Sequence, residues 1–447
     1  MRARALLPLA AIAVAAFADF AQAQDSIGYR PAPPNALQGG FSPSAPQPAT
    51  AQPARPQQEQ AAPPLDPWNS FAPVSPGVTA GNVTFLPSVT AGAFYDDNVF
   101  ATHDNRQGSW GEIVHPELGL RTAGQNYAVE ARGFIEQRWY NRFSTEDQLD
   151  GAGAVAATLM PDSDTQVVLK GGYARAHEAR GTGDSTFTGF DKPVGFDTYS
   201  ASAALNRRFN RWWTSLGAAG SWQHYDMPTI GGAPIDQSYR DGVIGVVNGR
   251  LGYVVAPLTS VFAEVAGNRR DFQVDSFDST GYRVVGGVLL EQGPGARIKG
   301  EAYAGYMHQD YTGATFDTVS TFTYGGALAF LIAPRWTAVA AGSRNALESN
   351  YNLAGGVSVV ESTLFGRLDY QVLPNLVVGA GASWIADQYN GVGRTDTSIS
   401  PLVSVKYLAS PNVTLGFDYR NVSFDSSGAG VLTYYRNVYL FSINARL

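Results

Sequence analysis

Charged and apolar side chains alternate residue by residue along many segments of this 447-residue chain. In one segment Tyr127, Val129, Ala131 and Ile135 stand opposite Glu130, Arg132, Glu136 and Arg138. In another, Val167, Leu169 and Tyr173 oppose Gln166 and Lys170. Ile298, Ala302, Ala304 and Tyr306 oppose Lys299 and Glu301, and Leu364, Leu368 and Tyr370 oppose Arg367, Asp369 and Gln371. Val413, Leu415, Phe417 and Tyr419 oppose Thr414, Asp418 and Arg420. A period of two belongs to extended strands with one apolar and one polar face, not to helices. The last nine residues repeat it: Tyr439, Phe441, Ile443, Ala445 and Leu447 share a face, against Ser442, Asn444 and Arg446. A half-apolar edge strand invites aggregation unless a partner strand covers it, and closing the sheet into a barrel supplies that partner.

The strands are joined in a regular way. Tight turns with proline recur at Leu159-Met-Pro161-Asp, Val255-Ala-Pro257-Leu, Ile332-Ala-Pro334-Arg, Leu373-Pro374-Asn and Ala409-Ser-Pro411-Asn, with Gly293-Pro294-Gly as a variant. From Pro257 the intervals are 37, 40, 40 and 37 residues, the length of two strands, one turn and one loop. Helical solenoids share that period but would show a 3.6-residue pattern. The expected architecture is all-β: a transmembrane antiparallel up-and-down barrel of about 18 strands (16–18), between roughly residues 81 and 447. The short turns and both termini then fall on the periplasmic side. Pro116 and Pro401 lie inside expected strands, and each removes a ladder donor, so bulges or irregular pairing are expected there. Trp212, Trp213 and Trp336 follow short turns, and Trp110, Trp139, Trp222 and Trp384 lie near long loops, as interfacial girdles require.

Composition fits this reading. Charged residues are 15%, aromatics 12%, and there are 49 glycines, yet mean hydropathy is only −0.13. In a membrane barrel only every second residue meets lipid, so the mean stays near zero. The absence of cysteine excludes disulfides and thiolate chemistry. A net charge of −7 without a Lys/Arg run gives no footprint for nucleic acid.

Two segments precede the barrel. Residues 1–23 read as a signal peptide, with Arg2 and Arg4, an apolar run over 5–18 and Ala21-Gln22-Ala23 at the cleavage position. Residues 24–80 are rich in Pro, Ala and Gln and are expected to be a disordered periplasmic segment, as a tether or a spacer. It is too short for the plug domain of a TonB-dependent receptor.

The five histidines are scattered and form no HExxH, and no nucleophile elbow or phosphate loop occurs. No cofactor, metal site or catalytic residue is expected. The polar faces supply the candidate site: Glu130, Arg132, Glu136, Arg138, Lys170, Arg250, Glu264, Lys299, Glu301, Arg367, Asp369, Asp418 and Arg420 are expected to line the lumen. Such a ring either tunes the passage of a solute or pairs internally.

The stretch Ala93-Phe-Tyr-Asp-Asp-Asn-Val-Phe100, with the leader, the Pro-rich lead, the Gly/aromatic hairpins and the C-terminal strand, resembles the beta-barrel porin 2 family of proteobacterial outer-membrane proteins. The resemblance covers roughly residues 82–447. It implies an outer-membrane channel, with exopolysaccharide export as one role. Expected partners are outer-membrane lipid, the β-barrel assembly machinery through the C-terminal strand, and periplasmic polysaccharide-export proteins. Two readings stand beside a channel: a plugged structural barrel whose loops, such as 178–196, engage a partner, and an outer-membrane enzyme, for which no site is visible.

Overall fold

The computed structural model describes residues 77–181, 189–291, 296–349, 357–427 and 433–447. The signal peptide, nearly all of the Pro-rich segment, the Gly293-Pro294-Gly turn and the centre of the 178–196 loop lie outside the described residues.

Eighteen antiparallel strands close into one barrel. They are β1 (Val83–Asp96), β2 (Ser109–Ala123), β3 (Tyr127–Tyr140), β4 (Gln148–Leu159), β5 (Thr165–His177) and β6 (Gly195–Phe209). Next come β7 (Trp212–Tyr225), β8 (Gly242–Ala256), β9 (Thr259–Phe272), β10 (Ser279–Leu290), β11 (Ile298–Tyr311) and β12 (Val319–Ala333). The last are β13 (Trp336–Ser349), β14 (Val357–Leu373), β15 (Leu376–Tyr389), β16 (Arg394–Ser410), β17 (Val413–Ser426) and β18 (Tyr434–Arg446). A three-residue strand, Val78–Ala80, pairs with the start of β1. Each strand pairs with its neighbours in sequence, so the barrel has a turn rim and a loop rim.

The turn rim is built by its prolines. The ladder shifts register just before Pro257, Pro334, Pro374 and Pro411, between Val254 and Ala256, Leu331 and Ala333, Gln371 and Leu373, and Leu408 and Ser410. Proline fixes its own φ and has no N–H to leave unpaired, which suits a tight reversal. The two prolines inside strands act differently. Opposite Pro116 the β2–β3 ladder skips from Val114↔Gln137 to Glu117↔Phe134, and opposite Pro401 the β16–β17 ladder skips from Ile399↔Ser423 to Leu402↔Arg420. Register is the same on both sides of each gap, so the pairing is interrupted as expected but no bulge forms. On its other side each proline pairs normally, with Val89 and Ala382.

Side chains sort by parity. Val89, Leu118, Ile135, Val155, Leu169, Leu216, Val247, Val265, Val284, Phe322, Leu364, Phe441 and Ile443 are exposed on the outer surface. The girdle tryptophans Trp110, Trp139, Trp212, Trp222 and Trp336 are exposed there too. Trp213 corrects the expectation: it is one residue out of phase with Trp212, points inward and is fully buried.

Closure depends on β1 meeting β18, from Ser88↔Arg446 to Asp96↔Val438. The stretch that carries the family resemblance sits at this junction. The buried Asp96 carboxylate accepts from Arg436 Nε at 2.9 Å and Nη2 at 2.5 Å. Asp97 accepts from the Asn437 main-chain N–H and side-chain amide, both at 2.6 Å. Asn98, fully buried, donates to the Tyr435 carbonyl at 2.9 Å and the Thr102 carbonyl at 2.8 Å. Phe94 and Val99 pack with Tyr140 and Val438 beneath these bonds. Three consecutive polar residues thus clasp the last strand to the first. Asp96→Asn is expected to lower stability by about 3–5 kcal/mol, because it leaves the Arg436 charge buried without its counter-ion. Urea unfolding of the detergent-folded barrel measures this; equal midpoints for D96N and the parent would remove the clasp from the account.

Candidate functional site

The inner wall is where chemistry-bearing residues converge. Every one of the thirteen residues singled out above has the parity opposite to the exposed apolar band, and so points inward. They do not form one centre. They fall into patches spaced around the wall.

The densest patch spans β8 to β11. Arg250 donates to Glu264 from Nε at 2.9 Å and Nη2 at 2.6 Å, and to Glu301 from Nη1 at 2.8 Å. Arg283 donates to Glu264 at 2.7 Å. The strands place these groups directly across from one another, since Arg250 pairs in register with Glu264. The Arg250 guanidinium lies 4.1 Å from the centre of the Phe262 ring, and that of Arg283 lies 5.1 Å from the Tyr303 ring. Towards the turn rim the same wall becomes apolar: Trp213, Phe262, Val285 and Tyr303 form a buried cluster. Gly252 is required beside Trp213, because a Cβ there would lie 2.0 Å from the indole ring. Lys299 follows on β11, two residues before Glu301 and on the same face.

A second patch lies on β2 and β3. Arg132 bonds Glu117, and Glu136 accepts from Arg138 at 2.6 Å and lies 3.1 Å from His115 Nδ1. The His115 ring stacks on Phe134 with centroids 4.6 Å apart. Glu130 stands opposite Arg121 in the ladder. Lys170 points inward from β5. A third patch crosses β14, β16 and β17. Arg367 donates to Asp369 at 2.9 and 3.1 Å and to Ser404 at 2.5 Å. Asp418 lies beside Lys406 and Arg367, and Arg420 follows on the same strand face. Cations and anions are interspersed along the wall, several of them in direct ion pairs, so it is polar without a strong field of one sign.

Several inward charges were not singled out from sequence: Glu117, Arg270, Arg283, Glu348, Arg394 and Asp396. Glu117 follows Pro116, where the strand reads as broken. Arg270 shares the phase of Glu264, six residues before it on β9, so alternation does place it inward. Arg394 and Asp396 lie at the very start of β16, where few preceding neighbours set the phase. Arg394 donates to Asp396 from Nε at 2.6 Å, both buried near the loop rim.

At the loop rim itself, Asp191 staples two segments. Its carboxylate accepts from the Gly232 N–H, the Thr229 hydroxyl and the Gly231 N–H, at 2.8–2.9 Å, and these donors hold its pKa below the ordinary carboxylate range. Nearby, Arg240 bonds Glu178 and lies 3.8 Å from the Tyr225 ring centre. Among the described residues, no group of three or more His, Asp or Glu is arranged to hold a metal ion.

An 18-stranded barrel with an apolar outer belt and a polar, ion-paired inner wall defines a porin-like outer-membrane protein. The family model described as "Putative beta-barrel porin 2" matches residues 70–446, and the chain belongs to that family. Among solved structures, Pseudomonas aeruginosa OpdQ is similar at a TM-score of 0.44 and 12% identity, covering 82% of this chain and 100% of that one. Pseudomonas aeruginosa OccK3 (OpdO) gives 0.42 and 13%, covering 81% and 96%, and Acinetobacter baumannii OccAB4 gives 0.42 and 11%, covering 81% and 98%. Comparison with curated protein sequences finds no match.

The β8–β11 patch makes its own prediction. Arg250→Met takes the shared guanidinium from two buried carboxylates, of which Glu264 keeps Arg283, and is expected to lower stability by about 3 kcal/mol. The double variant Arg250→Met, Glu301→Gln neutralises Glu301, keeps the Arg283–Glu264 pair and is expected to recover most of that loss. Unfolding midpoints of the two variants decide it: a double variant no more stable than R250M would show that shape, not charge, dominates there.

Proposed function

We propose that the barrel is a channel for hydrophilic solutes, with the charged inner wall as its path. The observation that carries this is the combination of strand number and wall chemistry. Barrels of 16–18 strands commonly leave an aqueous channel, and the inner face here carries mixed charges on most strands. Extended saccharides are the candidate solute class, in keeping with the hydroxyl, amide and aromatic groups interleaved with the charges, such as Gln166, Asn206, Asn248 and Ser404. In this reading the leader over 1–23 is removed on export, the C-terminal strand engages the assembly machinery, and the Pro-rich segment reaches periplasmic polysaccharide-export proteins. Chemistry at the wall plays no part in it, since the charges are paired for structure rather than arranged around a reacting atom.

A specific observation favours the runner-up reading, a barrel plugged by its own side chains. Arg250, Glu264, Asp369, Arg270 and Arg394 are all less than 5% exposed. Single-channel recording of the refolded protein in planar bilayers separates the two. The channel reading expects a stable open conductance. Arg132→Gln and Arg367→Gln each remove a luminal cation, and are expected to shift the reversal potential in a KCl gradient towards cation selectivity. A heat-modifiable, β-rich, correctly folded protein that never conducts would sink the channel reading.

A further inference from the structure

The wall is not a simple cylinder on the side of β12 to β14. Below the loop rim β12 and β13 pair regularly, up to Gly325↔Ser343. Above that point the ladder between them stops, although β12 continues to Val319 and β13 to Ser349. Meanwhile β13 stays paired with β14 up to Ser349↔Val357, and β14 with β15 up to Val359↔Tyr389. The break therefore belongs to one seam.

Parity says where the upper ends of β13 and β14 have gone. Ala346 and Glu348 on β13 and Val360 on β14 have the parity of the outer, lipid-facing residues Trp336, Leu364 and Leu368. Yet Ala346 and Val360 pack in one buried cluster with Met307 of β11 and Val319 of β12, which face inward. Glu348 is ion-paired with Arg270, which faces inward from β9. Arg270 and Glu348 stand on strands four places apart, which is about 19 Å along the wall at normal strand spacing. They can touch only if the end of β13 lies inside the barrel. The outer faces of β13 and β14 thus rest on the inner faces of β9 to β12, like the overlap of a scroll.

The freed backbone is satisfied by side chains instead of a strand. The Arg344 carbonyl accepts from Thr323 Oγ1 at 2.7 Å, the Ala346 carbonyl from Arg270 Nη2 at 3.1 Å, and the Leu347 carbonyl from Tyr311 Oη at 3.3 Å. Ser358 Oγ donates to the Asp317 carbonyl at 2.7 Å. An edge that would otherwise be costly is held by these bonds, one of them from Arg270, together with the Arg270–Glu348 ion pair.

We propose that this seam has two states, tucked and zipped, and that the Arg270–Glu348 pair is the latch holding the tucked one. The argument is one of matched parts. The six residues 319–324 and the six residues 344–349 can extend the ladder in its existing register, from Tyr324 opposite Arg344 to Val319 opposite Ser349. No slip is needed, so parity is kept. Zipping would carry Glu348 to an outer surface that is already polar, beside Ser320, which hydrogen-bonds His308 at 2.7 Å. Gly326 and Gly342 pair just below the break, and Gly326 has φ +139°, a conformation that side-chain-bearing residues avoid. Those glycines are the hinge. In the tucked state the ends of two strands occupy the lumen near the loop rim; in the zipped state they return to the wall. This seam goes beyond the channel reading, and its first test does not need conduction.

The chain contains no cysteine, so an engineered pair reports cleanly. Thr321→Cys with Leu347→Cys sets two thiols opposite each other in the zipped register, whereas the tucked Leu347 side chain packs against Val357, Val359 and Tyr389. Disulfide formation in the folded, membrane-inserted barrel is read by gel mobility and mass. Adding Glu348→Gln is expected to speed it by about tenfold, as the latch's share of the balance is removed. The exchange Arg270→Glu with Glu348→Arg is expected to bring the rate back towards that of the parent pair. Equal rates with and without the latch, or no disulfide in either background while heat-modifiability stays normal, would overturn the proposal. Conductance with and without reductant is the second readout. A rate that responds to the latch in a barrel that never conducts would support the two-state seam while removing the channel.

Discussion

A sheet in hydrocarbon has no solvent to satisfy its edge, so every main-chain N–H and C=O must find a partner within the fold. Nearly everything in this protein follows from that constraint. It explains why β18 is paired with β1, and why the clasp there uses buried polar groups that would be wasteful elsewhere. Asp96, Asp97 and Asn98 do not merely sit at the end of a strand. They bond Arg436, Asn437 and the Tyr435 carbonyl, over 330 residues away in sequence, and so fix the register in which the barrel closes. A one-residue slip would turn the apolar face of β18 inward and the Arg436 charge outward.

The same constraint sets the inner wall. Alternation forces half of each strand to face the interior, and the charged side chains placed there must find partners. The answer here is charge matched to charge across neighbouring strands. Arg250 reaches Glu264 on the next strand and Glu301 two strands further on, and Arg367 reaches Asp369 along its own strand and Ser404 on β16. Such pairs contribute little net stability, because desolvation offsets attraction, but they specify geometry strongly, since an unmatched member is costly. The ion pairs are therefore better understood as setting which strand faces stand together than as holding the barrel shut.

Much of the fold was legible in sequence because its physics is local. A strand's period is visible in fifteen residues, and a Pro turn in four; Tyr127–Tyr140 and Val413–Ser426 are strands where their alternation predicts them. Direction inward or outward was legible wherever an apolar neighbour fixed the phase, as Ile135 does for Glu136. It failed where two like residues stand together. Trp212 and Trp213 are chemically alike, and only the register of β7 decides that one meets lipid while the other is buried over Gly252. Partnership was not legible at all, because the strand facing a given residue two or four places away depends on closure and curvature.

The seam between β12 and β13 is the extreme of that limit. Its residues alternate as well as any others, and pairing them as a regular ladder breaks no local rule. What alternation cannot encode is that the buried guanidinium of Arg270, four strands away, holds Glu348, and that Met307 and Val319 offer an apolar seat. The tucked arrangement trades a six-residue ladder for one ion pair, a small apolar cluster and several side-chain bonds to carbonyls. The proposed switch requires that the two arrangements lie close in free energy, since a packed structure then moves between them as a switch rather than by continuous deformation. On that proposal a charge pair inside the lumen, rather than the loop sequence above it, governs the shape of this seam.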